Sequence, residues 1–130
     1  MNAEARAAVR TTVRNIADRW RGLLAWGSPI TGAIDIVDGS GGGYAKHDGH
    51  ACIVFSNGSL ARSLTTVLHE MAHMAAPAGE LHGRRWRGLL ARATHEVTGV
   101  PVPDGAPMQV MDELVESAVR SWLTAERRAR

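Results

Sequence analysis

Between Ser59 and Pro77 the chain carries a run that only one kind of local structure satisfies. At about 100° per residue, Leu60, Leu64, Val67, Leu68, Met71 and Ala75 fall on one side of a helix. His69 and His73 fall on the opposite side, with Thr66 between them in angle. Ser59 is a natural cap for the first turn and Pro77 a natural stop, so a helix is predicted from Leu60 to Ala76. Such a helix buries one face in a core and opens the other to a cleft. Core histidines would have fallen within the apolar stripe.

The remaining segments supply what that helix packs on. Val9, Val13, Ile16, Trp20 and Leu23 recur at helical spacing and predict a helix from about Ala3 to Leu24, closed by Gly27, Ser28 and Pro29. Ile30 to Val37 reads as a strand with Ile30, Ile34 and Ile36 on one side. After the glycine-rich loop 38–43, Asp48-Gly49 sits between two extended runs, Tyr44 to His47 and His50 to Phe55, and predicts a hairpin. A third helix begins near Gly83 with Trp86, Leu89, Leu90, Ala93 and Val97 inward, and Gly99 and Pro101 end it. Beyond a proline-rich connector, Met111, Leu114, Val115, Ala118 and Trp122 mark a fourth, with a frayed basic end at Glu126 to Arg130. The 130 residues fit a single domain, 1–130, large enough to bury a core without disulfides. The fold class is α+β, a small antiparallel or mixed sheet of about three strands packed with about four helices.

The chemistry is concentrated in Val67-Leu68-His69-Glu70-Met71-Ala72-His73. Two histidines one helical turn apart can hold one zinc ion at about 2.0–2.1 Å each. Glu70, on the adjacent flank, can reach a water on that ion. A catalytic zinc wants three protein ligands and an open position. His82 is the best third candidate, because Pro77 and Gly79 let the chain turn back before the next helix. Glu80, Glu113, Glu116 and Cys52 are weaker alternatives; a lone cysteine is more simply a buried thiol. The spacing departs from that of metzincins, which would place a histidine where Gly79 stands, and the downstream Asn-Glu pattern of gluzincins is not found.

The run Leu68-His69-Glu70-Met71-Ala72-His73, followed by His82-Gly83 and then Trp86, resembles the SprT-like zinc metallopeptidases. In that family a His-Gly pair after the His-Glu-x-x-His helix supplies the third ligand, and an aromatic residue follows it three positions later. Upstream, Gly43-Tyr44, the hairpin at Asp48-Gly49, Ile53-Val54-Phe55 and Ser56 are similar in order. The likeness covers roughly residues 43–97. It implies a minimal zincin-like metallopeptidase core with zinc on His69, His73 and His82, acting on a protein or peptide substrate. Glu70 would be the general base that takes a proton from water and returns it to the leaving amine. Many members carry a cysteine-rich zinc ribbon that a chain with one cysteine cannot build. A bare catalytic core is therefore expected. No oxyanion helper stands out; Tyr44, His47, His50, Arg84 and Arg85 each have the chemistry.

Two rival readings remain: a metal-stabilised binding or regulatory module without turnover, and a zinc hydrolase acting on a non-peptide bond. A structural site needs no Glu70 and closes with four ligands, which weighs against the first. A formal charge of +2 makes no case for nucleic acid by itself. Arg6, Arg10 and Arg14 nevertheless form a stripe, Arg127, Arg128 and Arg130 add to the charge, and the SprT-like resemblance suggests a weak, nonspecific DNA contact. Solvation of the stripe beside Glu4 and Asp18 is the plainer reading. The absence of a long apolar run and of a signal-like N-terminus, together with the lone cysteine, leads to a cytoplasmic protein without a membrane partner.

Overall fold

A computed structural model describes residues 1–23, 32–45, 51–77 and 79–129. Among these residues, four helices and three strands follow one another as α1 (Ala3–Leu23), β1 (Ala33–Asp38), β2 (Gly43–Ala45), β3 (Ala51–Ser56), α2 (Leu60–Ala75), α3 (Arg84–Thr98) and α4 (Met108–Arg128). The strands form a mixed sheet in the order β1-β3-β2. β1 runs parallel to β3, with Ile36 opposite Val54, and β2 runs antiparallel to β3, with Tyr44 opposite Ile53. The fold is thus the small α+β arrangement that the sequence pattern predicts. The hairpin turn at Asp48-Gly49, together with Lys46, His47 and His50, lies outside the described residues. So do Leu24 and the segment holding Gly27, Ser28, Pro29 and Ile30.

Alternation along β3 sets the layer order. Cys52, Val54 and Ser56 are buried while their neighbours are half-buried, so one face of the strand lies against α2. The buried Ser56 hydroxyl is satisfied by the Ser63 hydroxyl of α2 at 2.9 Å. α2 starts where expected: Ser59 sits in extended backbone and its side chain accepts from the Arg62 N–H at 3.3 Å. Leu64, Val67, Leu68 and Met71 are fully buried. α1 covers the other end of the sheet through Val13, Ile16, Ala17 and Trp20. α3 buries Trp86 and Leu90, and α4 buries Met111, Val115 and Val119, in the same core. Trp20 of α1 meets Trp122 of α4 edge to face at 5.3 Å, a pairing worth about 0.5–1.5 kcal/mol beyond its buried area.

Three details differ from the sequence reading. α4 continues through Arg128 instead of fraying from Glu126, since the Ala129 N–H still reaches the Ala125 carbonyl at 3.1 Å. Leu114 is only half-buried, and Val119 takes the inward place. The arginine stripe of α1 is engaged: Arg6 and Arg10 each pair with Asp38 at 3.2 Å, and Arg14 donates to the Ile36 carbonyl at 2.7 Å. These guanidiniums fasten α1 to β1. Among the described residues no helix is long and apolar enough to cross a membrane.

Candidate metal centre

α2 presents His69 and His73 on the face away from its apolar stripe. The connector after α2 returns a third histidine to them. That return is built from a tight turn, with Glu80 N–H donating to the Pro77 carbonyl at 3.1 Å and Gly83 N–H to the Glu80 carbonyl at 3.0 Å. Gly79 has φ 82°, as glycine readily does. Leu81 also takes a left-handed φ of 54°. A leucine there costs about 1–2 kcal/mol, so the surrounding turn must impose it. The reversal delivers His82 beside α2, with Gly83 then capping α3.

His73 Nε2 lies 3.2 Å, and His82 Nε2 3.3 Å, from His69 Nε2. The ligating atoms of the trio all lie within 4.8 Å of one another, so these three residues can hold a metal ion. In neutral imidazoles such nitrogens carry at most one proton each, and a shared cation satisfies three converging lone pairs at once. Partial burial, and next the neighbouring His69 when charged, hold the His82 imidazole below its ordinary 6.5, with Asp112 pulling the other way. A lowered value favours the neutral form that binds metals.

Trp86 forms the floor. It is fully buried, its ring stacks on His73 at 5.0 Å, and its edges meet His69 at 4.7 Å and His82 at 4.6 Å. Its indole N–H donates to the His69 carbonyl at 3.2 Å, tying α3 to the turn of α2 that carries the first histidine.

Glu70 is only 3% exposed. Its Oε1 lies 3.7 Å from His69 Nε2, and its buried Oε2 has no hydrogen-bond partner. Burial pushes its carboxyl above the ordinary 4.5, opposed by positive charge on His69. Gly43 of β2 lies against it: a Cβ there would stand 3.3 Å from Glu70 Cγ and 2.5 Å from the Ile53 carbonyl oxygen. The missing side chain lets β2 close over α2 at the carboxylate.

Two clefts meet at Gly43, His69 and Glu70. The larger, about 560 Å³, runs between the glycine loop and α4, past Arg62, Asp112, Glu113 and Glu116. The smaller, about 390 Å³, is walled by Tyr44, Ala45, Pro77, Leu81 and His82.

The other sequence candidates are placed elsewhere. The Glu80 carboxylate accepts from the Arg85 N–H at 2.8 Å at the start of α3, Glu116 pairs with Arg62 at 3.6 Å, and Cys52 is buried in the core. Burial, then the Glu70 charge, push the Cys52 thiol up to about 12. Tyr44 stays at the cleft edge, half-exposed, while Arg84 and Arg85 are exposed. Asp112 is the residue that sequence reasoning missed: its Oδ1 lies 3.3 Å from His69 Nδ1. An acid near the start of a helix looks like ordinary surface charge, and only a partner 43 residues away marks it out. Comparison with protein-family models, curated proteins and solved structures returned no match.

Proposed function

We propose that this chain is a zinc-dependent hydrolase that cleaves peptide bonds, with zinc on His69, His73 and His82 and Glu70 as general base. The observation that carries the reading is the convergence of three imidazole Nε2 atoms beside a buried carboxylate with an unpartnered oxygen. Ligands about 2.0–2.1 Å from a tetrahedral zinc stand about 3.3–3.4 Å apart, and the two spacings to His69 Nε2 are 3.2 and 3.3 Å. Three nitrogen ligands would leave one of zinc's four positions for a water, as catalysis needs and a structural site does not.

When bound, zinc supplies Lewis acidity, lowering the pKa of a water toward ~7 and polarising a carbonyl. The protein does the rest. Glu70, desolvated and with Oε2 free, has a raised proton affinity suited to removing a proton from water. It can return that proton to the leaving nitrogen without moving away. Gly43 keeps the space beside the carboxylate narrow, and Trp86 holds the imidazoles. Among the described residues β2 ends the sheet order at the cleft, so its outer edge offers main-chain pairing to an extended peptide. That edge favours a peptide over another carbonyl substrate. The SprT-like resemblance of the His-Glu-x-x-His, His82-Gly83 and Trp86 pattern points the same way, and a buried lone thiol suits a reducing, cytoplasmic setting.

The test is cleavage of casein and of a mixed peptide library by the zinc-loaded chain, read by mass spectrometry. Cleavage that is abolished by chelator, restored by zinc, and reduced ~10²-fold or more by Glu70→Gln at full zinc content is expected. Zinc-loaded protein that cuts no peptide would refute the reading.

A further inference from the structure

We propose that Asp112 is a positioning residue for the metal centre, an outer partner on α4 that fixes the orientation and tautomer of His69. The inference rests on the metal reading above and goes beyond its ligand set. An ionised carboxylate only accepts hydrogen bonds, so in the 3.3 Å contact with His69 Nδ1 the imidazole must donate. A proton on Nδ1 leaves Nε2 with its lone pair, and Nε2 is the atom facing His73 and His82. His69 is therefore pinned at two points. Trp86 N–H holds its backbone carbonyl, and Asp112 holds the far side of its ring.

The placement of Asp112 is firm. Met111 and Val115, on either side of it along α4, are fully buried, so the helix cannot rotate without leaving the core. One turn on, Glu116 pairs with Arg62 of α2 at 3.6 Å, adding a second polar link between the same two helices. The Asp112 side chain itself remains 42% exposed in the wall of the larger cleft. It contributes little to the core, and its replacement should leave the fold intact.

The experiment uses the full chain and zinc, with affinity measured by competition against a chromophoric chelator. Asp112→Ala is expected to weaken zinc binding about 10–100-fold while the metal-free protein melts within a degree or two of wild type. Asp112→Asn keeps an acceptor oxygen for Nδ1–H and should recover part of the affinity. In the metal-free wild type, imidazole nitrogen NMR should show neutral His69 protonated at Nδ1, and Asp112→Ala should shift its tautomer balance toward Nε2–H. Wild-type zinc affinity in Asp112→Ala, with an unchanged His69 signal, would overturn the inference and leave the metal site standing. Wild-type protein that takes up no zinc would overturn both.

Discussion

Replacing Glu70 with glutamine should lower activity and raise the stability of the metal-free protein. The carboxylate is 3% exposed and one of its oxygens has no partner. An unsatisfied buried polar group costs about 1–3 kcal/mol, and more when it is charged. Glutamine keeps the shape and one unsatisfied atom but removes the charge, so the gain is the charged-to-neutral difference, about 1 kcal/mol. For a domain of this size that is roughly 3–5 °C in melting temperature. The sign of the pH dependence follows from burial. Because the folded carboxyl titrates above its ordinary 4.5, the folded state binds the proton more tightly than the unfolded chain does. The contribution of this carboxyl is therefore fully present below that ordinary value and is lost as pH rises through the raised one. Chelator-treated wild type and Glu70→Gln, melted by circular dichroism from pH 5 to pH 8, should diverge as pH rises, with the variant higher. A variant that melts lower at pH 8, or a gap that ignores pH, would show that the carboxylate is well solvated or well paired.

Gly43→Ala places a Cβ 2.5 Å from a backbone oxygen, so β2 must shift. A loss of about 1–3 kcal/mol in urea unfolding is expected, and an unchanged midpoint would contradict the close approach. Cys52, with its thiol at about 12 against an ordinary 9.0, should carry about 1,000-fold less thiolate at pH 8 in the folded protein than in the unfolded chain. Ellman's reagent should label it rapidly only in denaturant. Replacing Arg6, Arg10 and Arg14 with glutamine removes two ion pairs to a half-exposed Asp38 and two carbonyl contacts, to Met1 and Ile36, and should cost about 1–2 kcal/mol. If the stripe also contacts DNA, low-salt binding by the wild type should show a salt slope that the triple variant flattens, and binding insensitive to the substitutions would remove that role.

The parts legible in the sequence are those with a local cause. Apolar spacing marks α2 and its two outward histidines, Ser59 and Pro77 mark its ends, and Gly83 and Gly99 bracket α3. The three-residue β2 is marked in the sequence only as the run leading into a turn signal, and its place at the sheet edge depends on β1 pairing with the opposite side of β3. His82 could be proposed because proline and glycine announce a reversal, whereas the left-handed Leu81 that completes the reversal has no sequence signature. Asp112 and the anchoring of the arginine stripe to Asp38 were hidden for the same reason. Both are contacts between segments far apart in the chain, and no periodicity encodes them.

The proposed hydrolysis requires a metal on His69, His73 and His82. X-ray absorption at the zinc edge, on protein reconstituted to saturation and washed free of excess metal, reads stoichiometry and ligand type together. It should give about one zinc per chain with three imidazole nitrogens and a further light-atom ligand at about 2.0–2.1 Å. His82→Ala should remove one imidazole from the fit. No retained zinc, a sulfur ligand, or a fit that His82→Ala leaves unchanged would contradict the site.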